Sequence, residues 1–319
     1  MHPKVSILIP VYNGRPYLED LAECLQRQTL SDFEAIFIDD QSTDGSLALL
    51  KRYAAADSRF KIIEMPYKGG NAVKGIRYGL PHCSGKYFFY MSQDDLIESD
   101  TLEKLTALAD ASGADAVVPD MEWFFEQGTG NRKITPPEPY GYLKTISGET
   151  AFRLALPWKI HGFYLRKTDL LKQVGYDDSY LTGDEINARK YLYFCKKVTF
   201  CPTTFYYRQD NPDALTKQFR PQTIEDIYGY IDLLVFMQTQ QMDRVLIRQW
   251  HHYALHLFLH YRNMAASHSD SLSAADKKLT QKKLYTARNR LLAFSLRHAF
   301  YTGGLKLIRK SKICWHQQT

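Results

Sequence analysis

The sequence predicts an α/β fold in which a doubly wound, mostly parallel β-sheet is followed by a helical appendage. Two observations carry this prediction. Through the first 120 residues, short apolar runs alternate with amphipathic stretches, which is the order of strands and helices in a parallel sheet. After Pro221, apolar residues recur only at helical spacing. We therefore expect an α/β domain over residues 1–219 and a helical region over residues 220–319.

Apolar runs locate the strands of the predicted sheet. They cover residues 5–11, 33–38, 60–63, 86–89 and 115–118. The first run is apolar almost throughout, as expected for a strand that is buried on both faces. Helices are expected between the runs. After residue 220, three stripes predict further helices: Ile224 to Leu234, Leu246-Trp250-Tyr253-Leu257-Tyr261, and Leu284 to Phe294.

Acidic pairs end two of the predicted strands. Asp39-Asp40 closes the second strand, and Asp94-Asp95 follows the fourth. Adjacent carboxylates repel each other unless a cation or hydroxyl donors share the site. Ligands of such sheets bind at the carboxyl ends of the strands, so a divalent metal that holds a polyphosphate is one interpretation. The alternative is a solvated loop in which Ser99 or Asp100 caps the next helix.

The net positive charge comes from the last third of the chain. The net charge is +6, and residues 220–319 hold 15 Lys and Arg against 6 Asp and Glu. No RNA- or DNA-binding motif accompanies these basic residues, so we expect no nucleic-acid partner. Residues 305–315 mix bases with apolar and aromatic side chains, which suits an anionic membrane surface. A solvated last helix is the equal alternative.

The cysteines and the N-terminus predict a cytoplasmic protein. Five cysteines are scattered and form no C-x-x-C pair, which favours reduced thiols. Lys4 leads directly into an apolar strand, so we expect no signal peptide. The apolar runs are too short to span a bilayer.

Several segments resemble family 2 inverting glycosyltransferases of the GT-A fold, over about residues 4–215. The most specific are residues 5–13 (VSILIPVYN), 28–34 (QTLSDFE) and 38–46 (IDDQSTDGS). Ser92-Gln93-Asp94-Asp95 is similar to a variant of that family's D-x-D metal and nucleotide motif. The resemblance implies a nucleotide-sugar-binding half over residues 1–120 and an acceptor-binding half over residues 121–219.

The resemblance also implies a donor site for a nucleotide sugar, taken as a UDP sugar. Asp95 would bind Mn²⁺ or Mg²⁺, because a departing diphosphate needs its developing charge neutralised. Ser92 stands where the family commonly has an aspartate, and Gly75-Ile76-Arg77 stands where Ala-Arg-Asn is usual. The residues implied to bind the nucleotide are Pro10, Tyr12, Asn13, Asp39, Asp40, Asn71, Arg77 and Asp94.

The acids Asp184 and Glu185 are similar to the family's acceptor-side motif, and one of them is implied to be the general base. An inverting displacement needs a base across the sugar ring from the leaving group. We expect Asp184 to be that base, since Glu185 is placed to pair with Arg189 four residues later. The alternative is that both acids only favour the dipole at a helix N-terminus.

The acceptor is implied to be a saccharide or a lipid-linked saccharide, in the synthesis of cell-surface polysaccharide such as O-antigen or capsule. Trp158 and His161 are weak candidates for acceptor binding, and a packed histidine is an equal interpretation of His161. His252, His256 and His260 recur on one helical face, where a structural or surface role is favoured over metal binding. An inactive nucleotide-sugar-binding subunit is the alternative function. The oligomeric state is left open.

Overall fold

A computed structural model describes residues 2–126, 128, 132–212, 214, 217 and 219–297. The chain forms two compact units. The first contains the residues up to Ser179 together with Gly183–Pro212, and the second contains Tyr180–Thr182 and the residues that follow Pro212. The predicted domain boundary after residue 219 lies close to this division. The predicted boundary between the two halves, after residue 120, falls inside a strand.

Ten strands of the described residues form one sheet. They are β1 (Val5–Val11), β2 (Phe33–Asp39), β3 (Phe60–Glu64), β4 (Tyr87–Tyr90), β5 (Leu96–Ile97), β6 (Ala116–Phe124), β7 (Arg132–Ile134), β8 (Thr145–Ile146), β9 (Leu165–Lys167) and β10 (Val198–Arg208). The helices of the first unit are α1 (Leu18–Gln26), α2 (Ser46–Ala56), α3 (Ala72–Gly79), α4 (Thr101–Ser112), α5 (Gly148–Ala155), α6 (Thr168–Val174) and α7 (Gly183–Phe194).

The sheet follows the order β3-β2-β1-β4-β9-β6-β10-β5. The four strands from β3 to β4 are parallel, as are β6 and β10. The short strand β9 runs antiparallel between β4 and β6 and joins the two parallel parts. The mixed α/β fold with its mostly parallel sheet is therefore confirmed.

The predicted strands of the first 120 residues are all present, but the second half of the sheet was largely missed. β6 continues to Phe124 instead of ending at residue 118, and β10 was not predicted as a strand. The last three residues of β6 are half-buried, and the buried residues of β10 include three threonines, Thr199, Thr203 and Thr204. Both strands therefore lack the continuous apolar run that marks a strand covered on both faces.

Close packing of α3 on the sheet fixes one wall of the strand ends. A Cβ atom added to Gly79 would lie 2.5 Å from Leu8 Cδ1, and one added to Gly75 would lie 2.9 Å from Pro10 Cβ. Both distances are shorter than side chains tolerate, so only glycine lets the helix approach β1 this closely. Pro10 therefore serves helix packing at the edge where β1 and β2 end.

The described residues of the second unit are mainly helical, as predicted. Its helices are α8 (Glu225–Thr239), α9 (Arg244–Ser267) and α10 (Ala274–Arg297). The stripe predicted for α9 is partly wrong, because Tyr253 is 46% exposed and the buried face instead includes Ile247, His251 and Phe258. His251 is fully buried and bonded to Ser295 Oγ at 2.7 Å, and a polar residue in the core hides the true face from a hydrophobicity pattern.

None of the described helices is both long and apolar enough to cross a membrane. The basic and apolar stretch at residues 305–315 lies outside the described residues. Its predicted contact with a membrane surface stays a prediction.

Candidate active site

The carboxylate of Asp40 anchors the loop that precedes α3. Its two oxygens accept the backbone N–H groups of Gly69 and Gly70, at 2.5 and 2.7 Å. Gly70 has a positive φ of 82°, which favours glycine at this turn. Lys68 donates to the Asp40 carbonyl oxygen at 3.0 Å and lies over the ring of Tyr12. Asp40 therefore shapes one wall of the site.

Asp39 offers an acceptor with no partner among the described residues. One of its oxygens, Oδ2, accepts the backbone N–H of Ser42 at 3.2 Å. The other, Oδ1, is buried and has no hydrogen bond. A buried oxygen left unpaired costs free energy. An N–H or O–H donor of a bound ligand would therefore stabilise this position.

The turn after β1 is held by hydrogen bonds to two other loops. Asn13 adopts a positive φ of 49°, and its side-chain oxygen accepts the backbone N–H of Thr43 at 2.8 Å. Gln93 bonds both backbone groups of Tyr12, with Oε1 at 2.9 Å from the nitrogen and Nε2 at 3.1 Å from the oxygen. Gln93 therefore joins the β1 turn to the loop that carries the acid pair. The side chain of Tyr12 is 46% exposed.

The two acids of the pair have different surroundings. Asp95 is fully buried, and its oxygens accept the backbone N–H groups of Ser92 and Arg208, at 3.1 and 3.2 Å. Asp94 is half-buried and accepts from Asn211 Nδ2 at 2.6 Å. The Arg208 side chain also donates to the Asp94 carbonyl oxygen at 3.1 Å. The end of β10 thus holds both acids in place.

The pKa values of both carboxyls of the pair are raised, although the charge of Arg208 partly offsets this at Asp94. Burial, followed by the charge of Asp94, raises the pKa of Asp95 well above its ordinary value. Burial likewise raises the pKa of Asp94. No group of three or more His, Cys, Asp or Glu side chains within the described residues could hold a metal by itself. Mg²⁺ is usually bound by one or two carboxylates together with substrate phosphates, so the pair fits a metal that arrives with a phosphate ligand.

The acceptor-side acids lie at the start of α7. Glu185 Oε2 accepts from Trp158 Nε1 at 3.1 Å and from Arg189 Nη1 at 3.0 Å. The predicted pairing of Glu185 with Arg189 is confirmed. Burial, followed by the charge of Glu185, raises the pKa of Asp184 to about 7. Asp184 can therefore exchange a proton near neutral pH.

The two acceptor-binding candidates, Trp158 and His161, differ in the exposure of their side chains. Trp158 is half-buried and has a positive φ of 60°, an uncommon conformation for a residue other than glycine. His161 is 3% exposed; its Nε2 lies 2.9 Å from the Pro119 carbonyl oxygen, and its Nδ1 accepts the backbone N–H of Phe163 at 3.1 Å. Burial lowers the pKa of His161 to about 4. The packed interpretation of His161 is therefore favoured.

Two tyrosines lie within range of the charges of both Asp95 and Asp184. Burial raises the pKa of Tyr90 and of Tyr207, and the charges of these two acids raise both further. Phe163 stacks on Tyr90 with ring centroids 5.6 Å apart and lies 5.2 Å from Tyr207. The structure thus brings the predicted metal and base residues to one aromatic wall.

Two further predicted nucleotide ligands belong to α3. Asn71 caps this helix, since its side chain accepts the backbone N–H of Lys74 at 2.9 Å. Arg77 is exposed in its last turn. Their nucleotide contacts stay predictions. Sequence reasoning gave no role to Gln93 or Asn211, because only the fold brings them to Tyr12 and Asp94.

Comparison with known proteins decides the family. Residues 6–175 match the model of glycosyl transferase family 2. The chain belongs to this family. It is 24% identical to glycosyltransferase GlyG of Streptococcus pneumoniae over 71% of this chain and 78% of GlyG. It is 34% identical to the putative teichuronic acid biosynthesis glycosyltransferase TuaG of Bacillus subtilis, over 32% of this chain and 40% of TuaG.

Two solved structures share the fold. S. aureus TarS 1-349 in complex with UDP-GlcNAc superimposes with a TM-score of 0.67 at 16% identity, covering 90% of this chain and 81% of that one. Mannosyltransferase PcManGT from Pyrobaculum calidifontis, in complex with GDP-Man and Mn²⁺, gives a TM-score of 0.51 at 17% identity, covering 92% and 88%. This family 2 glycosyltransferase therefore has the GT-A fold, as the sequence predicted.

Proposed function

We propose that this family 2 glycosyltransferase moves a sugar from a UDP sugar to a hydroxyl of a saccharide or lipid-linked saccharide, with inversion at the sugar carbon. One observation carries the proposal: Tyr90 and Tyr207, which pack on the same Phe163 ring at 5.6 and 5.2 Å, lie within range of the charges of both Asp95 and Asp184. An inverting transfer needs a donor-side group and an acceptor-side base on opposite sides of one sugar. The retained Asp184 favours an enzyme over an inactive subunit.

The nucleotide is proposed to lie along the ends of β1 and β2. The unpaired oxygen of Asp39 suits an N–H donor of a pyrimidine base, and the exposed ring of Tyr12 offers a surface for stacking. UDP is supported by the related TarS structure, which holds UDP-GlcNAc. The GDP-Man complex of PcManGT keeps a guanine nucleotide as the competing donor.

A divalent metal, Mn²⁺ or Mg²⁺, is proposed to accompany the diphosphate. Asp94 fits the role of ligand better than Asp95, because Asp95 is fully buried and both of its oxygens accept backbone N–H groups. Asp94 is half-buried, and its one described side-chain partner is Asn211. When bound, the ion would neutralise charge on the leaving diphosphate. The Mn²⁺ in the PcManGT structure supports this proposal.

Asp184 is proposed as the general base. It would accept the proton of the acceptor hydroxyl as that oxygen attacks the sugar carbon and the diphosphate leaves from the opposite face. A carboxyl with a pKa of about 7 is a stronger base than an ordinary aspartate and is still largely ionised above neutral pH. Glu185 is already engaged by Trp158 and Arg189, so it is proposed to position α7.

The biological setting is proposed to be cell-surface polysaccharide synthesis, for which O-antigen or capsule assembly are the predicted cases. The name of the relative TuaG, a putative teichuronic acid biosynthesis glycosyltransferase, supports this setting. The enzyme is also proposed to act on lipid-linked acceptors at the cytoplasmic face of a membrane. Residues 303–319, which are basic, would then lie near the lipid. Those residues lie outside the described part of the chain.

A thermal-shift screen tests the donor half of the proposal. The full chain would be heated with UDP-GlcNAc, UDP-GalNAc, UDP-glucose, UDP-galactose and GDP-mannose, each with Mn²⁺ and with EDTA. We expect a UDP sugar to raise the melting temperature in Mn²⁺, since a ligand that binds only the folded state stabilises it. A larger shift with GDP-mannose would show that the donor nucleotide is a guanine nucleotide and not UDP. The absence of a shift with every compound would contradict the donor site.

A further inference from the structure

Two adjacent tyrosines of β10 point to opposite faces of the sheet, as consecutive strand residues do. The ring of Tyr206 packs edge-on against Phe124, with centroids 6.1 Å apart, and its hydroxyl lies near Glu98. The ring of Tyr207 lies 5.2 Å from Phe163, on the face that carries Tyr90. Only Tyr207 of the two therefore faces the candidate active site.

Tyr207 lies within range of the charges of both halves of the site. Asp95 and Asp94 from the acid-pair loop, and Asp184 and Glu185 from α7, all act on its hydroxyl. An ordinary tyrosine phenol is protonated throughout the physiological range, so this hydroxyl is a hydrogen-bond donor.

The Tyr207 hydroxyl has no hydrogen-bond partner among the residues that the structure describes. The other tyrosine of the wall differs, since Tyr90 bonds to Ser92 Oγ at 3.1 Å and is 6% exposed. Tyr207 is half-buried, and its neighbour Arg208 holds the backbone and side chains of the acid pair. The position of Tyr207 is thus fixed by its strand and by Phe163, while its hydroxyl is left for a ligand.

We propose that Tyr207 binds the transferred sugar of the donor, its hydroxyl donating to a sugar oxygen between the acid-pair loop and Asp184. This inference rests on the proposed function, because the sugar is the part of a nucleotide sugar that lies between the diphosphate and the acceptor. The nucleotide itself is expected at Asp39 and Tyr12, at the ends of β1 and β2. Tyr207 therefore distinguishes a sugar-bearing donor from a bare nucleotide.

The test compares Tyr207→Phe with Tyr206→Phe, which removes the same hydroxyl from the other face of the same strand. Binding of UDP and of the nucleotide sugar selected by the thermal screen would be measured by calorimetry with Mn²⁺. For Tyr207→Phe we expect about 10-fold weaker binding of the nucleotide sugar and unchanged binding of UDP, the size of one lost hydrogen bond. Tyr206→Phe should match the wild type with both ligands.

Several outcomes would overturn the inference. If Tyr207→Phe binds the nucleotide sugar as well as wild type does, the hydroxyl does not contact the sugar. If UDP binding weakens to the same degree, Tyr207 acts on the nucleotide or on the structure of the loop. If the wild type binds UDP but gains nothing from the attached sugar, the sugar site itself is absent. Failure of the wild type to bind any nucleotide instead contradicts the proposed function.

Discussion

The indole Nε1–H of Trp158 donates to Glu185 Oε2 at 3.1 Å, the same oxygen that accepts from Arg189. Arg189 is buried and also donates to the Ala155 carbonyl oxygen at 3.2 Å. Glu185 therefore fastens the turn after α5 to the start of α7. Because Asp184 is the preceding residue, this contact fixes the backbone from which the candidate base projects.

Glu185→Gln should clearly lower the melting temperature and should lower the rate of transfer only slightly. The substituted amide could still accept from one donor, but the buried Arg189 would lose its anionic partner, which is costly for a buried cation. The matched control is Glu149→Gln, which removes the exposed partner of Arg153 at the same four-residue spacing. Exposed pairs contribute little, so the control should melt as wild type does. A catalytically dead but fully stable Glu185→Gln would make Glu185 the base.

Asp184→Asn should be more stable than the wild type at pH 8, with the difference vanishing near pH 4. Burial raises the folded-state pKa of Asp184 to about 7, above the value of an unfolded aspartate near 4. Between these values the folded chain binds the extra proton, so the wild type loses stability as pH rises through this window. Melting curves of both proteins at pH 4, 6 and 8 measure this. A constant difference across the range would contradict a raised pKa.

The same pKa sets the pH dependence of the wild-type rate. A base must be deprotonated to accept a proton, so kcat should rise with pH through about 7 and level off above it. Rates at saturating donor and acceptor between pH 5.5 and 8.5 would show this. A rate that falls with rising pH in this window would assign Asp184 another role.

Asp94→Asn should abolish the part of nucleotide binding that depends on Mn²⁺. Asp95→Asn should only weaken this Mn²⁺-dependent binding. The reason is access, since Asp95 is fully buried and accepts two backbone N–H groups, whereas Asp94 is half-buried. Calorimetry with UDP in Mn²⁺ and in EDTA separates the two contributions. The reverse ranking would return the ligand role to Asp95. Undiminished transfer in excess EDTA would remove the metal altogether.

Gln93→Ala should weaken UDP binding by about 10-fold, while the binding that remains should still depend on Mn²⁺ as it does in the wild type. Its amide makes two hydrogen bonds to the backbone of Tyr12, each worth about 1 kcal/mol, and they hold the β1 turn in place. Gln26→Ala, at an exposed position of α1, is the control and should bind UDP normally. Equal UDP affinity in both variants would show that the turn needs no such support.

Sequence patterns predict those residues of the candidate site whose positions follow from local structure. They do not predict the residues that only tertiary contacts bring to it. The acids at 39–40 and 94–95 follow buried parallel strands, so their shared edge could be predicted, and Glu185 reaches Arg189 through helical spacing alone. Gln93 and Asn211 are ordinary polar residues until the fold brings them to Tyr12 and Asp94, across 81 and 117 residues of chain. The half-buried parts of β6 and β10 carry too weak a pattern to predict.

Nucleoside diphosphate release by Asp184→Asn tests the central claim most directly. The donor selected by the thermal screen would be supplied with Mn²⁺ and saccharide or lipid-linked acceptors, and release would be compared with that of the wild type. We predict that donor binding is unchanged and that acceptor-dependent release falls by about 10²–10⁴-fold, the contribution of a general base. Release at the wild-type rate from Asp184→Asn would contradict the account.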